Sequence, residues 1–412
     1  MVSTASFSQK KIKVLFIGNS YTFVNNLPQT VADMAKGKGD TVIFDSHTVG
    51  GYTFQQHAAD TATQHKIAQR GWDFVILQAQ SQEPSFPPSQ VQQQTYPYAH
   101  ILDSLVHAAD SCTETVFYMT WGKENGDSAN CASYPAICTY TVDQYRLRQS
   151  YQDMGQLNHA TVAPAGEAWR RVKAQSTAFS LYQADHSHPT IWGTYLVASV
   201  FYEILFQKSV LADTFITSGI STSDALLLRQ AAHTTVSDSL SKWLRTGHIP
   251  VAFFSKTVIG SSVIFTSTSI NGQQFSWNYG DSYHGTGVVS NHNYTTSGTY
   301  PVTLQITDHC KIAYYTDSVS IAFSTGIAPS SYETIKVYPN PTQSYIYIDK
   351  TASEQGGEII VKLFNTLGYC VQSFKSNSPL ATIPSSDFPS GLYFMEITTA
   401  KSYFTYPIII EH

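Results

Sequence analysis

The 412-residue sequence predicts an α/β domain built on a parallel sheet, followed by two small all-β sandwiches. Three observations predict this. Short apolar runs alternate with helical patterns from residue 11 to 247. The alternation stops at Gly247-His248-Ile249-Pro250. Beyond it the strands become short and alternating, with Gly and Asn turns between them.

The first strand is expected over 13–17. Its continuous apolar run closes on Gly18-Asn19-Ser20, as a buried parallel strand closed by a turn does. Further strands are expected over 41–46, 74–77, 115–119 and 160–163. Helical patterns fall between them, over 27–35, 54–68, 91–108, 142–154 and 165–174, so helices should cover both faces of the sheet. After His188, Pro189 suits the first turn of a helix, and 191–206 continues with helical apolar spacing. Residues 223–244 read as a last amphipathic helix, opened by Ser221 or Ser223. The first domain is thus expected over 11–247.

Asn271-Gly272 is a hairpin signal within the next unit. There Trp277-Asn278-Tyr279-Gly280-Asp281 and Gly298-Thr299-Tyr300-Pro301-Val302-Thr303-Leu304 fit strands of a small sandwich. These residues resemble the polycystic-kidney-disease-type immunoglobulin-like domain, expected over 250–323. The resemblance implies a spacer or a carbohydrate- or protein-contacting module without catalysis. Residues 324–333 form a polar linker rich in Gly, Pro and Ser. Over 334–412 come Tyr338-Pro339-Asn340-Pro341, then Asn365-Thr366-Leu367-Gly368, then Gly391-Leu392-Tyr393, and an apolar run at 407–410 closes the chain. This resembles the C-terminal sorting domain of the type IX secretion system of Bacteroidetes. It implies the type IX secretion machinery as a partner, and a protein secreted from, or held on the surface of, a Gram-negative bacterium.

The composition agrees with export. The net charge is -5, charged residues are only 13%, and there are 26 Tyr. No basic block is present, so nucleic acid is not an expected partner. No stretch approaches the ~20 apolar residues of a transmembrane segment. Met1 to Gln9 lack the apolar core of a signal peptide, so the export signal is not expected within this sequence. Five cysteines, an odd count at low density, do not make a disulfide scaffold. Cys131 and Cys138 flank a short polar loop and are either a pair or two free thiols.

The candidate chemistry lies at both ends of the first domain. Ser20 stands at the carboxyl end of the first strand, where open α/β sheets place their sites. Asp185 and His188 are three apart, which in a turn or first helical turn puts both side chains on one face. Asp185 can then orient His188, and His188 can take the proton of Ser20. His186 and His188 lack a third ligand at a recognisable spacing, so no metal is expected. Without a phosphate-binding loop or dinucleotide fingerprint, no cofactor is expected either. The Gly-x-Ser-x-Gly elbow of α/β-hydrolases is absent from the sequence.

Over about 240 residues the chain resembles the SGNH (GDSL-like) hydrolases, in a Bacteroidetes branch with a Gly-Asn-Ser block. The resemblance implies a flavodoxin-like three-layer sandwich, with Ser20 as nucleophile and Asp185 and His188 completing the triad. It implies an oxyanion hole from the amides of Ser20 and Gly51, the latter in Gly50-Gly51-Tyr52-Thr53. The family's third donor is an Asn after the third strand. Here that stretch reads Gln78-Ala79-Gln80-Ser81-Gln82-Glu83, so Gln82, alternatively Gln80, takes its place. The assignment assumes that the chain stays extended past Leu77. Asn19 and His57 are expected beside the catalytic groups, His57 otherwise being a surface helix histidine. The implied function is a secreted serine esterase acting on an acylated, above all O-acetylated, polysaccharide or glycan. Lipase, thioesterase and acyltransferase are alternatives among enzymes. A catalytically inactive cell-surface glycan-binding or adhesin protein is the alternative outside them.

Overall fold

Val14, Leu15, Phe16 and Ile17 have no solvent exposure, because β1 (Lys11–Gly18) runs through the interior of a sheet covered on both faces. In the computed structural model the described residues are 9–175, 177–237, 239–244, 247–308, 310–323, 335–350, 357–366, 368–399 and 403–412. They fall into two compact units divided between Phe323 and Ser324. The expected linker at 324–333 and Leu367 of the Asn365–Gly368 turn lie outside the described residues.

From the N-terminal side the elements are β1, α1 (Ser20–Phe23), α2 (Leu27–Gly37), β2 (Thr41–Thr48), α3 (Phe54–Ala59), α4 (Thr61–Ala68), β3 (Phe74–Leu77), α5 (Pro88–Gln94), α6 (Tyr96–Ala109), β4 (Glu114–Tyr118), α7 (Tyr140–Asn158), β5 (Thr161–Ala163), α8 (Ala165–Lys173), α9 (Ile191–Phe206), α10 (Thr222–Ser237) and α11 (Leu240–Leu244). The five strands pair in parallel in the order β2-β1-β3-β4-β5, the flavodoxin-like order. Alternation along β4 sends neighbouring rings to opposite faces. Tyr118 meets Phe201 of α9 on one face, and Phe117 meets Phe54 of α3 on the other. Phe201 also touches Phe16. Helix α9 is buried almost all round, which fits its apolar sequence.

Five expectations need correction. The helix expected over 223–244 is two, α10 ending at Ser237 and α11 running over Leu240–Leu244. The helix expected over 54–68 is two helices, because Asp60 leaves the helical conformation and caps α4 by accepting from the amides of Ala62 and Thr63. The helix expected over 91–108 breaks at Thr95, just before Pro97, whose ring cannot continue a helix. Pro189 precedes α9, whose cap is Thr190. Asn271-Gly272 is no tight hairpin: it joins strands of two different sheets, and the Asn271 side chain donates to the carbonyls of Leu244 and Ile249 at 2.8 and 3.0 Å. Of the two proposed caps of α10, Ser221 accepts from the Asp224 amide.

The Ig-like sandwich consists of β6 (Phe254–Ile259), β7 (Ser262–Ser267), β8 (Gln274–Asn278), β9 (His284–Thr286), β10 (Val289–Asn293), β11 (Gly298–Asp308) and β12 (Lys311–Ile321). Its sheets, β10-β7-β6 and β12-β11-β8-β9, enclose Trp277, Phe265 and Leu304. It shares a compact unit with the α/β domain and meets the amino ends of β3 and β4. Cys310 is disulfide-bonded to Cys112. The ammonium of Lys311 lies 4.4 Å from the centre of the Phe74 ring and 3.3 Å from the carbonyl of Asp73. His248 Nδ1 lies 3.4 Å from Asp308 Oδ2.

The second unit holds β13 (Lys336–Tyr338), β14 (Tyr345–Asp349), β15 (Ile359–Asn365), β16 (Cys370–Ser376), β17 (Leu380–Pro384), β18 (Gly391–Thr398) and β19 (Tyr403–Ile410). Sheets β13-β14-β17 and β16-β15-β18-β19 close on Ile346, Ile348, Leu363, Met395 and Ile397. No helix among the described residues is long and apolar enough to cross a membrane.

Candidate active site

β1 ends at Gly18, where there is little room for a side chain. A Cβ on Gly18 would lie 2.7 Å from both Gln78 Oε1 and Thr22 Oγ1. Gln78, fully buried at the end of β3, grips the corner that follows. Its Oε1 accepts from the Asn19 amide and the Thr22 hydroxyl, both at 2.9 Å, and its Nε2 donates to Asn19 Oδ1 at 2.9 Å. The Asn19 side chain caps α1 through the Tyr21 amide and donates to the carbonyls of Tyr52 and Ala79. The corner delivers Ser20 to the first position of α1, where its N–H has no partner within the helix.

Ser20 Oγ lies 2.8 Å from His188 Nε2. His188 Nδ1 is in close hydrogen-bond contact with Asp185 Oδ2. The other oxygen of Asp185 accepts from the amides of Ser187 and His188, each at 3.0 Å. Burial works against ionisation of Asp185. The bonds from the His188 ring and from these amides outweigh it and hold the carboxyl below its usual range. An ionised Asp185 accepts only, so Nδ1 carries the hydrogen and the Nε2 lone pair faces the Ser20 hydroxyl. The structure therefore brings the three residues together in one directed chain of hydrogen bonds.

An aromatic stack supports the Asp185–His188 loop, and the sequence reading missed it. Tyr21 stacks on Trp121 at 4.7 Å, and Trp121 on Trp169 at 3.8 Å. Tyr21 Oη meets Ser187 Oγ at 2.6 Å, Trp121 Nε1 donates to the Ser187 carbonyl at 3.0 Å, and the Tyr21 ring meets His188 edge-on at 5.5 Å. Each partner is far away in sequence, so no local pattern signals it.

Gly51 sits in a turn closed by the Tyr52 amide on the Val49 carbonyl, with φ +75, the left-handed region that favours glycine. Among the described residues its N–H has no partner. His57 lies just beyond, and the surface-histidine alternative does not hold: the ring is fully buried. The Gly18 carbonyl accepts from His57 Nε2 at 2.9 Å and from the Val49 amide at 3.1 Å. This ties the strand end that leads to Ser20 to the turn that carries Gly51. Burial lowers the imidazole to about 4, so it is neutral at neutral pH, with its hydrogen on Nε2 and Nδ1 accepting from Thr63 Oγ1.

The extended geometry assumed past Leu77 is not found. Gln82 is in a helical conformation, with φ -100 and ψ -30, and opens a short 3₁₀ turn. Gln80 Oε1 accepts from the amides of Gln82 and Glu83, at 2.8 and 3.1 Å. That fixes its amide, so Gln80 Nε2 donates to Gln82 Oε1 at 2.5 Å. Gln82 Oε1 also accepts from Ser81 Oγ, and among the described residues Gln82 Nε2 has no acceptor. Gln80 thus braces the loop while Gln82 keeps a donor to offer. Next to it, burial pushes the Glu83 carboxyl up to about 7, which keeps a fixed negative charge out of this corner at lower pH.

The two histidines weighed as metal ligands point apart: His186, at φ +58, pairs with Glu124 Oε2 at 2.6 Å, and His188 faces Ser20. A different group, His47, His57 and Asp60, brings possible ligand atoms within 4.8 Å of one another. The sequence reading missed it because three separate elements supply it. Three of its four ring nitrogens are already engaged: both of His57 as above, and His47 Nε2 with Asp60 Oδ2 at 2.5 Å. The group fits a hydrogen-bonded network.

Residues 254–323 match the family model described as PKD domain, and residues 336–411 match the one described as secretion system C-terminal sorting domain. The chain therefore carries both modules, and the second marks it for secretion or surface attachment. Three solved structures are similar to parts of the chain. A DUF4886 family protein from Bacteroides uniformis is 17% identical, covering 55% of this chain and 95% of that one, with a TM-score of 0.47. An acetyl xylan esterase from Geobacillus stearothermophilus is 14% identical over 50% of this chain and 97% of that one, with a TM-score of 0.35. The PKD1 domain of a Vibrio cholerae metalloprotease is 29% identical over 18% of this chain and 99% of that one, with a TM-score of 0.18. No curated protein matches the chain.

Proposed function

We propose that the protein is a secreted serine esterase that removes O-acyl groups, O-acetyl above all, from a polysaccharide or glycan. The observation that carries the reading is the directed chain Ser20 Oγ, His188, Asp185, with 2.8 Å between Ser20 Oγ and His188 Nε2. Ser20 Oγ attacks the ester carbonyl carbon as its proton passes to His188 Nε2. The ionised Asp185 stabilises the imidazolium. The oxyanion is held by the N–H groups of Ser20 and Gly51 and by Gln82 Nε2. The bond to the sugar oxygen breaks, and His188 returns the proton to that oxygen. Water, giving a proton to His188, then attacks the acyl carbon; the bond to Ser20 Oγ breaks, His188 returns the proton to Ser20 Oγ, and the acid leaves. The sorting domain takes the protein through the type IX machinery to the outside or the surface of a Gram-negative cell.

The test is hydrolysis of p-nitrophenyl acetate with a stopped-flow burst. The wild type should show a burst matching the enzyme concentration. Ser20→Ala should fall to near background with an unchanged melting temperature, since a hydroxyl at a strand end contributes little packing. A fluorophosphonate probe should label Ser20. Label on another serine, or retained activity in Ser20→Ala, overturns the reading. An inert wild type would point to the glycan-binding alternative.

A further inference from the structure

We propose that Phe23, with the carboxamide of Asn26 three residues on, is a platform on which a neutral sugar ring of the substrate stacks beside Ser20; this rests on the esterase reading. Within α1, Tyr21 and Thr22 are buried, while Phe23 is 46% exposed. Residues three apart lie on one helix face, so Phe23 shares the face of Ser20. Single exposed apolar side chains are ordinary on protein surfaces. What sets Phe23 apart is that the chain on either side of it is tied to the reacting groups. Its amide bonds the Asn19 carbonyl at 3.2 Å. Two residues on, Asn25 Nδ2 donates to the carbonyl of Pro189, the neighbour of His188, at 2.9 Å, and to Thr194 Oγ1 at 3.0 Å. Asn25 and Asn26 both hold left-handed conformations, with φ 55 and 53, which L residues other than Asn and Asp seldom adopt. The turn they make leaves the Phe23 ring outside the core.

The sequence around Phe23 narrows the occupant. No Asp, Glu, Lys or Arg occurs between residues 19 and 32. A uronate or phosphate would call for a cation here, and an acyl chain for an apolar trough. Asn26 is exposed, and its carboxamide caps nothing and has no partner among the described residues. An aromatic face offers a neutral pyranose a surface for its C–H face, and a carboxamide three residues along the chain offers partners for its hydroxyls.

The experiment compares wild type, Phe23→Ala and Phe23→Trp on ethyl acetate and on acetylated xylo-, manno- and chito-oligosaccharides. By analogy with ring stacking elsewhere, Phe23→Ala should raise KM about tenfold for the oligosaccharide the wild type cleaves, with kcat kept within about twofold. Its rate on ethyl acetate, which has no ring to stack on the platform, should match the wild type, and Phe23→Trp should restore KM. An unchanged KM, or an equal loss on both substrate kinds, overturns the platform. If no oligosaccharide is cleaved, calorimetric titration of Ser20→Ala with the same sugars decides. Binding weakened about tenfold by adding Phe23→Ala supports the platform, and no binding by any of them overturns it. A wild type inert toward every ester overturns the esterase reading instead, and the titration still judges Phe23.

Discussion

At the carboxyl ends of β1 and β2 the chain leaves the amides of Ser20 and Gly51 without partners among the described residues, while at the amino ends of β3 and β4 it is tied down. There Glu114 Oε1 accepts from Thr161 Oγ1 at 2.6 Å, Asp73 Oδ2 accepts from the Lys13 amide at 2.7 Å, and Lys311 and the Cys112–Cys310 bridge hold the Ig-like sandwich. One sheet thus has an end tied down by side-chain bonds and an end that keeps donors in reserve. Unmet donors cost stability unless something else binds them. Their concentration at one end is what a site for a developing negative charge requires. The Ig-like domain braces the opposite end and leaves the first one open.

The largest effect that would sharpen this contrast, after loss of Ser20 itself, is at Gln82. If its free Nε2 serves the oxyanion, Gln82→Ala should lower kcat by ~10²–10³ with KM nearly constant, because the bond strengthens only in the transition state. Gln80→Ala should cost less and act by loosening the loop, since the Gln80 amide is spent on the backbone of Gln82 and Glu83 and on the Gln82 side chain. Steady-state kinetics on p-nitrophenyl acetate reads both. A crippled Gln80→Ala beside a near-silent Gln82→Ala would reverse the assignment.

A smaller effect is expected at His57. His57→Leu removes the donor to the Gly18 carbonyl and should lower kcat by about 10–100-fold, as the corner carrying Ser20 loses its register with the Gly51 turn. His57→Gln, whose amide can reach the same carbonyl, should recover most of that. The pH dependence supplies a second reading. The folded-state value of about 4 lies below the ordinary 6.5, so the unfolded chain binds the proton first. This group therefore contributes stability above about pH 6.5 that is lost as the pH falls toward about 4. His57→Gln should flatten that part of a melting-temperature profile. An unchanged acid limb would mean that another group sets it.

What the sequence made legible follows the range of the interactions. The run Val14 to Ile17 announced a buried strand because both of its faces are covered. Asp185 and His188 declared themselves because a three-residue spacing fixes their relation locally. The helix breaks at Asp60 and before Pro97 carried local signals, a capping carboxylate and a proline ring, which apolar periodicity masked. Gln78, Tyr21 and Trp121 act only through partners brought in by the fold, and nothing near them in sequence marks them. The extended loop expected after Leu77 does not form because the Gln80 side chain bonds two backbone amides, a competition that strand alternation ignores. The Cys112–Cys310 bridge was illegible for the same reason of distance, whereas Cys131 and Cys138, seven apart, were at least recognised as possible partners, and they do pair.

The smallest effect on activity should come from that long bridge, and it tests the contrast between the two ends most directly. Cys112 and Cys310 are separated by 198 residues. Closing so long a loop restricts the unfolded chain by about 5 kcal/mol in the chain-entropy account, an upper figure in practice. The double variant Cys112→Ser/Cys310→Ser leaves no orphan thiol, and calorimetry should show its melting temperature lowered by several degrees. Its kcat and KM on p-nitrophenyl acetate should stay within about twofold of wild type below the transition, because the bridge lies at the amino end of the sheet and Ser20, Gly51 and Gln82 all follow carboxyl ends. The contacts of Lys311 with Phe74 and Asp73 and of Asn271 with Leu244 and Ile249 remain to hold the sandwich in place. A variant that keeps its melting temperature but loses kcat would mean that the brace reaches through the sheet to the site, and the division of labour between the two ends would fail.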